Sequence, residues 1–404
     1  MTAVANAYAP EVAEPWPLPV GWRWEQIGNV ADVVGGGTPA TGDASNFGGE
    51  IPWITPADLS GYTAKYISRG ARNISASGLN GSGARLLPAG SVLFSSRAPI
   101  GYVAIARNPV ATNQGFKSFV LGSELLPDYV YHWLFVARDF AVKLASGTTF
   151  LEISGKKAAQ LPVPIAPLAV QREVVAYLDE QLSRLDASVA ALLRAQANLK
   201  RYAKSLIQTL VKRDESTAWM EVTVDKAALS LDNMRKPVNK TERALRGGRI
   251  PYLGANGQTG WIDEALFDEE LVLVVEDETF VGRTQPFCYY FAGKCWVNNH
   301  THVLRAKPNV VTPQYLNLAL AYYPFIPLTT GSTGRRKLTK KALMTAPLSV
   351  PPLPEQHRIV AEADRRLSLI RGAEAQTSAN LARAKRLRQS ILQAAFAQPV
   401  SAGQ

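Results

Sequence analysis

Cysteine is nearly absent: Cys288 and Cys295 are the only two in 404 residues. Two thiols cannot build a disulfide framework, so an ordinary apolar core must hold the chain, and a reducing cytoplasm is the expected compartment. Long apolar runs are missing as well. None approaches the roughly 18 to 20 residues that cross a bilayer, and the short run 271–275 reads as a strand, so no membrane partner is expected. The first residues carry Glu11 and Glu14 and have neither a basic start nor an apolar stretch, which does not read as a signal peptide.

Catalytic motifs are equally scarce. The Gly-Lys pairs at 155–156 and 293–294 are followed by Lys and Cys, so no phosphate-cradling loop exists for ATP. No Asn-Pro-Pro-aromatic string is present to hold a flipped adenine, which a base methyltransferase acting alone would need. The glycines at 35–37 precede Thr38 and Pro39 rather than a helix, and read as a turn. Cys288, Cys295, His300 and His302 have no zinc-framework spacing; His300 and His302 are expected on one face of a strand, and no metal is expected. The run Glu276, Asp277, Glu278 lacks a lysine at close spacing and reads as a solvated strand end rather than a set of magnesium ligands. No catalytic residue is assigned.

What is present is basic charge. Lys and Arg outnumber Asp and Glu by 44 to 33, a formal charge of +11, which favours a polyanionic partner. With 47% hydrophobic and 19% charged residues the composition is globular, and the length asks for two or more domains.

The chain is also written twice. Residues 161–178, LPVPIAPLAVQREVVAYL, match 346–363, APLSVPPLPEQHRIVAEA, at an offset of 185, so Pro162 falls on Pro347, Gln171 on Gln356 and Val175 on Val360. The register runs on to Arg201 on Arg386 and Ser205 on Ser390. Upstream it loosens: Asn113 faces Asn298, Tyr129 faces Tyr315, GTT at 147–149 faces STG at 332–334, and IPWIT at 51–55 resembles IPYLG at 250–254. Each repeat has a variable front and a constant back.

The constant back is helical. Val175, Leu178, Leu182, Leu185, Val189, Leu192, Leu199, Ala203, Leu206 and Leu210 alternate steps of three and four, with Gln196 the one polar interruption; this is a coiled-coil seam. Residues 168–213 contain no Pro or Gly, so a helix of roughly 45 residues would reach about 65 to 70 Å. The second copy keeps Leu367, Ile370, Leu381 and Ile391 on its seam but also places Glu374, Thr377 and Arg388 there. Each helix begins acidic (Glu173, Asp179, Asp186; Glu362, Asp364, Glu374) and ends basic (Arg194, Lys200, Arg201, Lys204; Arg383, Lys385, Arg386, Arg388), which favours antiparallel pairing. The same segregation also complements each helix dipole. Tyr177, Leu193, Tyr202, Ile207 and Phe396 are expected on exposed outer faces.

The fronts read as mixed α/β. Strand-like runs at 91–96, 103–106 and 116–121 precede a helix with Val130, Trp133, Leu134, Ala137, Ala141 and Leu144 on one face. The second front has runs at 271–275, 287–291 and 295–304 and a shorter helix after Pro313.

Two unlike α/β fronts separated by near-identical long helices resemble the specificity subunits of type I restriction-modification enzymes. LPVGWRWEQIGNVADVVGGGTP at 18–39, IPWITPADL at 51–59, LPAGSVLFSSRAPIGYVAI at 87–105, TNQGFKSFV at 112–120 and PLPEQHRIV at 352–360 are similar to strings of that family; the 250–300 region matches its patterns less well. The resemblance implies an α/β (α+β) chain with an internal pseudo-two-fold repeat. Its parts are target-recognition domain 1 at 1–165, a central spacer helix at 166–214, target-recognition domain 2 at 215–350, and a C-terminal spacer helix and tail at 351–404. It implies that each front reads half of a bipartite site on double-stranded DNA and that two modification subunits dock at the antiparallel helices. S-adenosylmethionine, ATP and Mg would be held by those subunits and by separate restriction subunits, and none by this chain. The alternative is a stand-alone DNA nuclease or methyltransferase with its active site in one front; a plain coiled-coil scaffold is a third.

Lys and Arg supply phosphate affinity, while Asn, Gln, Arg and Thr present donors and acceptors to base edges. On that logic the DNA-contact candidates in the first front are Arg97, Asn113, Gln114, Lys117, Thr148, Thr149, Lys156 and Lys157. In the second they are Arg283, Asn298, Asn299, His300, Thr333, Arg335, Arg336, Lys337, Lys340 and Lys341.

Overall fold

The constant backs fold as two uninterrupted helices, Leu168–Leu210 and Leu353–Ala397. Proline occurs in them only as Pro354, in a first turn, where the missing N–H has no helical partner to lose. The computed structural model describes residues 14–147, 151–213, 218–278, 280–331 and 336–398. It divides into two units: residues up to Ala191 with those from Asn380 onward, and Leu192–Ala379. Each unit holds one front, the start of one long helix and the end of the other.

In the first unit the main sheet runs in the order Ala31–Gly35, Lys117–Leu121, Val92–Ser96, Ile100–Ala106, Tyr66–Ile67. In the second it runs Ala228–Ser230, Thr301–Ala306, Phe267–Val275, Cys288–Val297, Ile250–Gly254, Gly257–Ile262. The first four strands correspond one to one. The IPWIT and IPYLG strings are also equivalent, since Trp53 and Ile54 pair in parallel with Ala111 and Thr112, and Tyr252 and Leu253 with Trp296 and Val297.

Residues 271–275 are all buried because both sheet faces are covered: Val272 and Val274 join one core, Leu271 and Leu273 another. Helix Pro127–Leu144 packs Val130, Trp133, Leu134, Ala137 and Ala141 against Val92, Phe94 and Ile105, and Pro313–Ala321 packs Tyr315 and Leu316 against Val272 and Val274.

The junction of front and long helix repeats down to single hydrogen bonds. Gln171 is wholly buried: its Oε1 accepts from the Leu126 amide at 2.9 Å, and its Nε2 donates to the carbonyls of Glu124 at 2.7 Å and Ala166 at 2.8 Å. Gln356, equally buried, accepts from the Thr312 amide at 2.7 Å and donates to the carbonyls of Val310 at 2.9 Å and Pro351 at 2.8 Å. Beside these clasps the Tyr129 hydroxyl donates to the Pro164 carbonyl and the Tyr315 hydroxyl to the Ser349 carbonyl, both at 3.0 Å.

The helices run antiparallel in both units. In the first, Leu178 and Leu182 share a core with Leu392, Ala395 and Phe396, and Asp186 accepts from Arg388. In the second, Ile207 shares a core with Ile359 and Ala363, and Gln196 Nε2 lies 3.4 Å from Ser378 Oγ. All eleven seam candidates are buried or half-buried: Leu178, Leu182, Leu185, Val189, Leu192, Leu199, Leu206, Leu367, Ile370, Leu381 and Ile391. The polar positions Gln196, Glu374, Thr377 and Arg388 lie on the same face.

The expected outer faces of the helices and one expected strand need correction. Ile207 and Phe396 do not face outward: Ile207 joins the second front's core, and Phe396 is wedged edge-on against Tyr129 and Trp133, both rings 5.1 Å away. Tyr177 is half-buried against the first front; only Leu193 and Tyr202 stay exposed. The run 295–304 is not one strand, because Asn298 Oδ1 accepts from the His300 amide at 3.0 Å and turns the chain between Cys288–Val297 and Thr301–Ala306.

Replacing Gln171 by Ala leaves the Leu126 amide and two carbonyls without their buried partner. Each such group costs about 1 to 3 kcal/mol, so the urea midpoint of the chain should fall clearly; Gln356→Ala should do the same, whereas Gln208→Ala, on an exposed helix face, should leave it unmoved.

Candidate nucleic-acid interface

The first front gathers its candidates around one strand end. Asn113 Oδ1 accepts from the Gly115 amide at 2.9 Å, which turns the TNQG segment and exposes Gln114. Gln114 Oε1 accepts from Thr38, and the triple glycine is not the expected turn: Gly35 ends the strand Ala31–Gly35, and the Gly37 amide donates to the Thr112 carbonyl at 2.9 Å. A Cβ on Gly36 would sit 2.0 Å from the Asn113 carbonyl oxygen, and one on Gly37 would sit 2.2 Å from the backbone of Gly83 and Ala84. Sequence reading missed Thr38 and Glu152 as members of this site. Glu152 joins Arg97 at 3.2 Å and Lys117 at 3.8 Å. Burial pushes the Lys117 ammonium below its ordinary value, and Arg97 adds to that push while Glu152 opposes it. Lys156 and Lys157 lie on the short helix Gly155–Ala159, whose N-cap is Ser154. Thr148 and Thr149 lie outside the described residues.

The second front repeats the turn with different chemistry. Asn298 takes the place of Asn113, Asn299 is exposed, and the His300 ring lies 2.7 Å from Asp277. His300 and His302 do not share a strand face, since His300 lies in the turn while His302 is buried in the strand. The two ring nitrogens of His302 face Asp232 Oδ2 at 2.6 Å and the Leu338 carbonyl at 2.8 Å. Cys288 and Cys295 are buried, free, and on the strand before the turn; burial raises both thiols, Cys295 to about 12.

Glu276 is not a solvated strand end. It is buried and paired with Arg235 at 2.6 Å and Lys337 at 3.1 Å, and Arg235 in turn donates to the carbonyls of Asn299 at 3.3 Å and Thr301 at 2.8 Å. Neither ion partner was visible as close spacing, because Arg235 comes 41 residues earlier and Lys337 arrives on a strand from the far end of the front. Burial pushes the Glu276 and Asp232 carboxyls up, but the hydrogen bonds from Arg235 and Lys337 to the first, and from His302 to the second, outweigh it and hold both low.

Arg336 folds onto Thr329, donating to its hydroxyl at 2.7 Å, and Arg283 reaches Asn256 Oδ1 at 2.7 Å and the Pro286 carbonyl. Lys340 and Lys341 are exposed on Lys340–Met344, capped by Thr339 as Ser154 caps its counterpart. Thr333 and Arg335 lie outside the described residues, as do the GTT and STG strings apart from Gly147. Among the described residues no helix is long and apolar enough to cross a membrane, and no group of three or more His, Cys, Asp and Glu could hold a metal ion.

The type I restriction modification DNA specificity domain matches this chain twice, over residues 19–192 and 226–365. A stretch of 169 residues is 38% identical to the type I restriction enzyme MjaIX specificity subunit of Methanocaldococcus jannaschii, covering 40% of this chain and 39% of the relative. A stretch of 142 residues is 35% identical to the putative type I restriction enzyme specificity subunit S.HindORF215P of Haemophilus influenzae, covering 35% of each. The chain thus spans well under half the length of these two relatives in the matched stretches. In fold it is alike over 96% of its length to a chain from a structure on complex assembly and conformational transition of the type I R-M system, with a TM-score of 0.76 at 19% identity, covering 100% of that chain.

A carboxyl held low in the folded state contributes stability that is present above its unfolded value and lost as pH falls through the folded one. The second front should therefore hold level stability above pH 4.5, the ordinary value for Glu276, and lose it progressively below. Urea melts between pH 3 and 7 check this, and Glu276→Gln should flatten the acid limb while lowering stability at neutral pH.

Proposed function

Because the chain belongs to the family of type I restriction modification DNA specificity domains, we propose that it is the DNA-reading, non-catalytic subunit of a type I restriction-modification complex. Each front reads one half of a bipartite site on double-stranded DNA. The observation that carries this is the pairing of a repeated scaffold with unlike loop chemistry: Asn113-Gln114 and Asn298-Asn299 stand on equivalent turns, flanked by Arg97, Lys117 and Thr38 in one front and by Asp277, His300 and Lys337 in the other. The side chains of Asn113 and Asn298 fix the turns, and the side chains beside them are free to differ.

Phosphate grip falls to the exposed cations Lys156, Lys340 and Lys341 and the half-buried Lys157, with Arg336 and Arg283; Thr148, Thr149, Thr333 and Arg335, outside the described residues, are proposed as further contacts. We place the first recognition domain at 1–165, the central helix at 166–214, the second domain at 215–350 and the last helix and tail at 351–404. The helices set the distance between half-sites and dock two modification subunits, so two modest contacts become one useful affinity. S-adenosylmethionine, ATP and Mg belong to those subunits and to restriction subunits, in the cytoplasm. A nuclease or methyltransferase site in one front is disfavoured, because Asp232 and Glu276, the buried acids of the second front, are already engaged by His302, Arg235 and Lys337.

Mixing the chain with a modification subunit and sequencing the methylated adenines should return a split motif. Exchanging residues 1–160 for those of a relative should change one half and keep the other. A continuous motif, or none, would refute the reading.

A further inference from the structure

The two fronts can be aligned residue by residue at their reading ends through backbone hydrogen bonds. In the first, the Ser96 amide donates to the Gly115 carbonyl at 2.7 Å and the Ile153 amide to the Ser96 carbonyl at 3.1 Å. In the second, the Glu276 amide donates to the His300 carbonyl at 3.1 Å and the Leu338 amide to the Glu276 carbonyl at 2.7 Å. Ser96 thus corresponds to Glu276, Arg97 to Asp277, Gly115 to His300 and Glu152 to Lys337.

The backbone is repeated and the charges are reversed. Arg97 faces Glu152 at 3.2 Å; in the corresponding places Asp277 sits opposite Lys337 in strand register and is held by His300 at 2.7 Å. These side chains are partly open, Arg97 by 37% and Asp277 by 33%. In the first front Arg97 and Asn113 line a cavity of about 430 Å³ together with Thr55, Ser60 and Tyr102. Strand register puts Phe287 in the place of Tyr102, since Val103 pairs with Phe94 as Cys288 pairs with Val274.

The Arg97–Glu152 pair is partly exposed and contributes little to stability, so a residue of the opposite sign can stand in the place of Arg97 without harming the fold. A carboxylate cannot grip phosphate, which it repels, but beside a base it accepts from an amino group. We infer that this strand end is the base-reading seat of each recognition domain and that the two seats have opposite polarity. Arg97 offers paired donors to the O6 and N7 acceptors of guanine, while Asp277, oriented by His300, accepts from an exocyclic amine in the major groove, that of cytosine or adenine. This inference rests on the proposed function and adds to it which residue pair chooses the base.

The test is selection of duplexes from a randomised pool by the full-length chain, followed by sequencing of the bound fraction. The wild-type chain should return a split motif, with a G·C pair at one position of the half read by residues 1–165. The double variant Arg97→Asp with Glu152→Lys keeps an ion pair, with its direction reversed, so the fold is retained; circular dichroism checks this. It should lose preference at that single position by about 5- to 150-fold, with the other half unchanged. Asp277→Asn should change one position of the other half only, by a similar factor. Arg97→Lys, which keeps the charge but loses the planar fork, should lower the preference while leaving the salt dependence of binding intact. Folded variants that keep the wild-type preference in both halves, or that weaken binding to all sequences equally, would overturn the inference and leave the proposed function standing. Failure of the wild-type chain to return any split motif would sink both.

Discussion

A glutamine side chain sealed from water must find one donor for its oxygen and acceptors for its two N–H bonds, or forfeit free energy on each. Gln171 and Gln356 meet that demand with backbone groups alone, drawn from the loop before a front's helix and from the proline-rich step into a long helix. A rigid angle between front and helix follows at both places. Because only backbone atoms are engaged, the clasp sets no condition on which side chains the front displays elsewhere.

The helices obey a looser constraint. Near each front the seam is apolar and shares that front's core, through Leu178, Leu182 and Phe396 in one unit and through Ile207, Ile359 and Ala363 in the other. Between these anchors the seam contains Gln196, Glu374 and Thr377, with Leu185, Val189, Leu192 and Leu199 only half-buried. Packing is therefore strongest where helix meets front. The charge asymmetry along each helix contributes orientation, and Asp186 with Arg388 is its visible trace.

Periodicity and repetition were legible because both are local or translational signals. The helix spans, the seam and the Asn113–Asn298 match followed from spacing, and the kinship of IPWIT with IPYLG from the likeness of the strings at a different spacing. What stayed hidden depended on side chains meeting from distant segments. The partners of Glu276 come from 41 residues before and from a strand at the opposite end of the front, so a buried ionic centre read as a solvated end. Phe396 looked exposed because the pocket that receives it is made by Tyr129 and Trp133, which no helix periodicity reveals. Of the candidate contacts, Asn113, Gln114, Arg97 and Lys117 do converge, but Thr38 and Glu152 carried no signal beyond a polar residue near glycine and a lone acid.

The reversed charges at Arg97 and Asp277 bear on how such a molecule changes over generations. Neither group supports a core, closes a clasp or caps a long helix, so drift at these places is filtered by what the surface meets rather than by whether the chain folds. One ancestral body could therefore be copied and the copies re-lettered separately, each acquiring its own vocabulary while inheriting the same grammar of turns and strands.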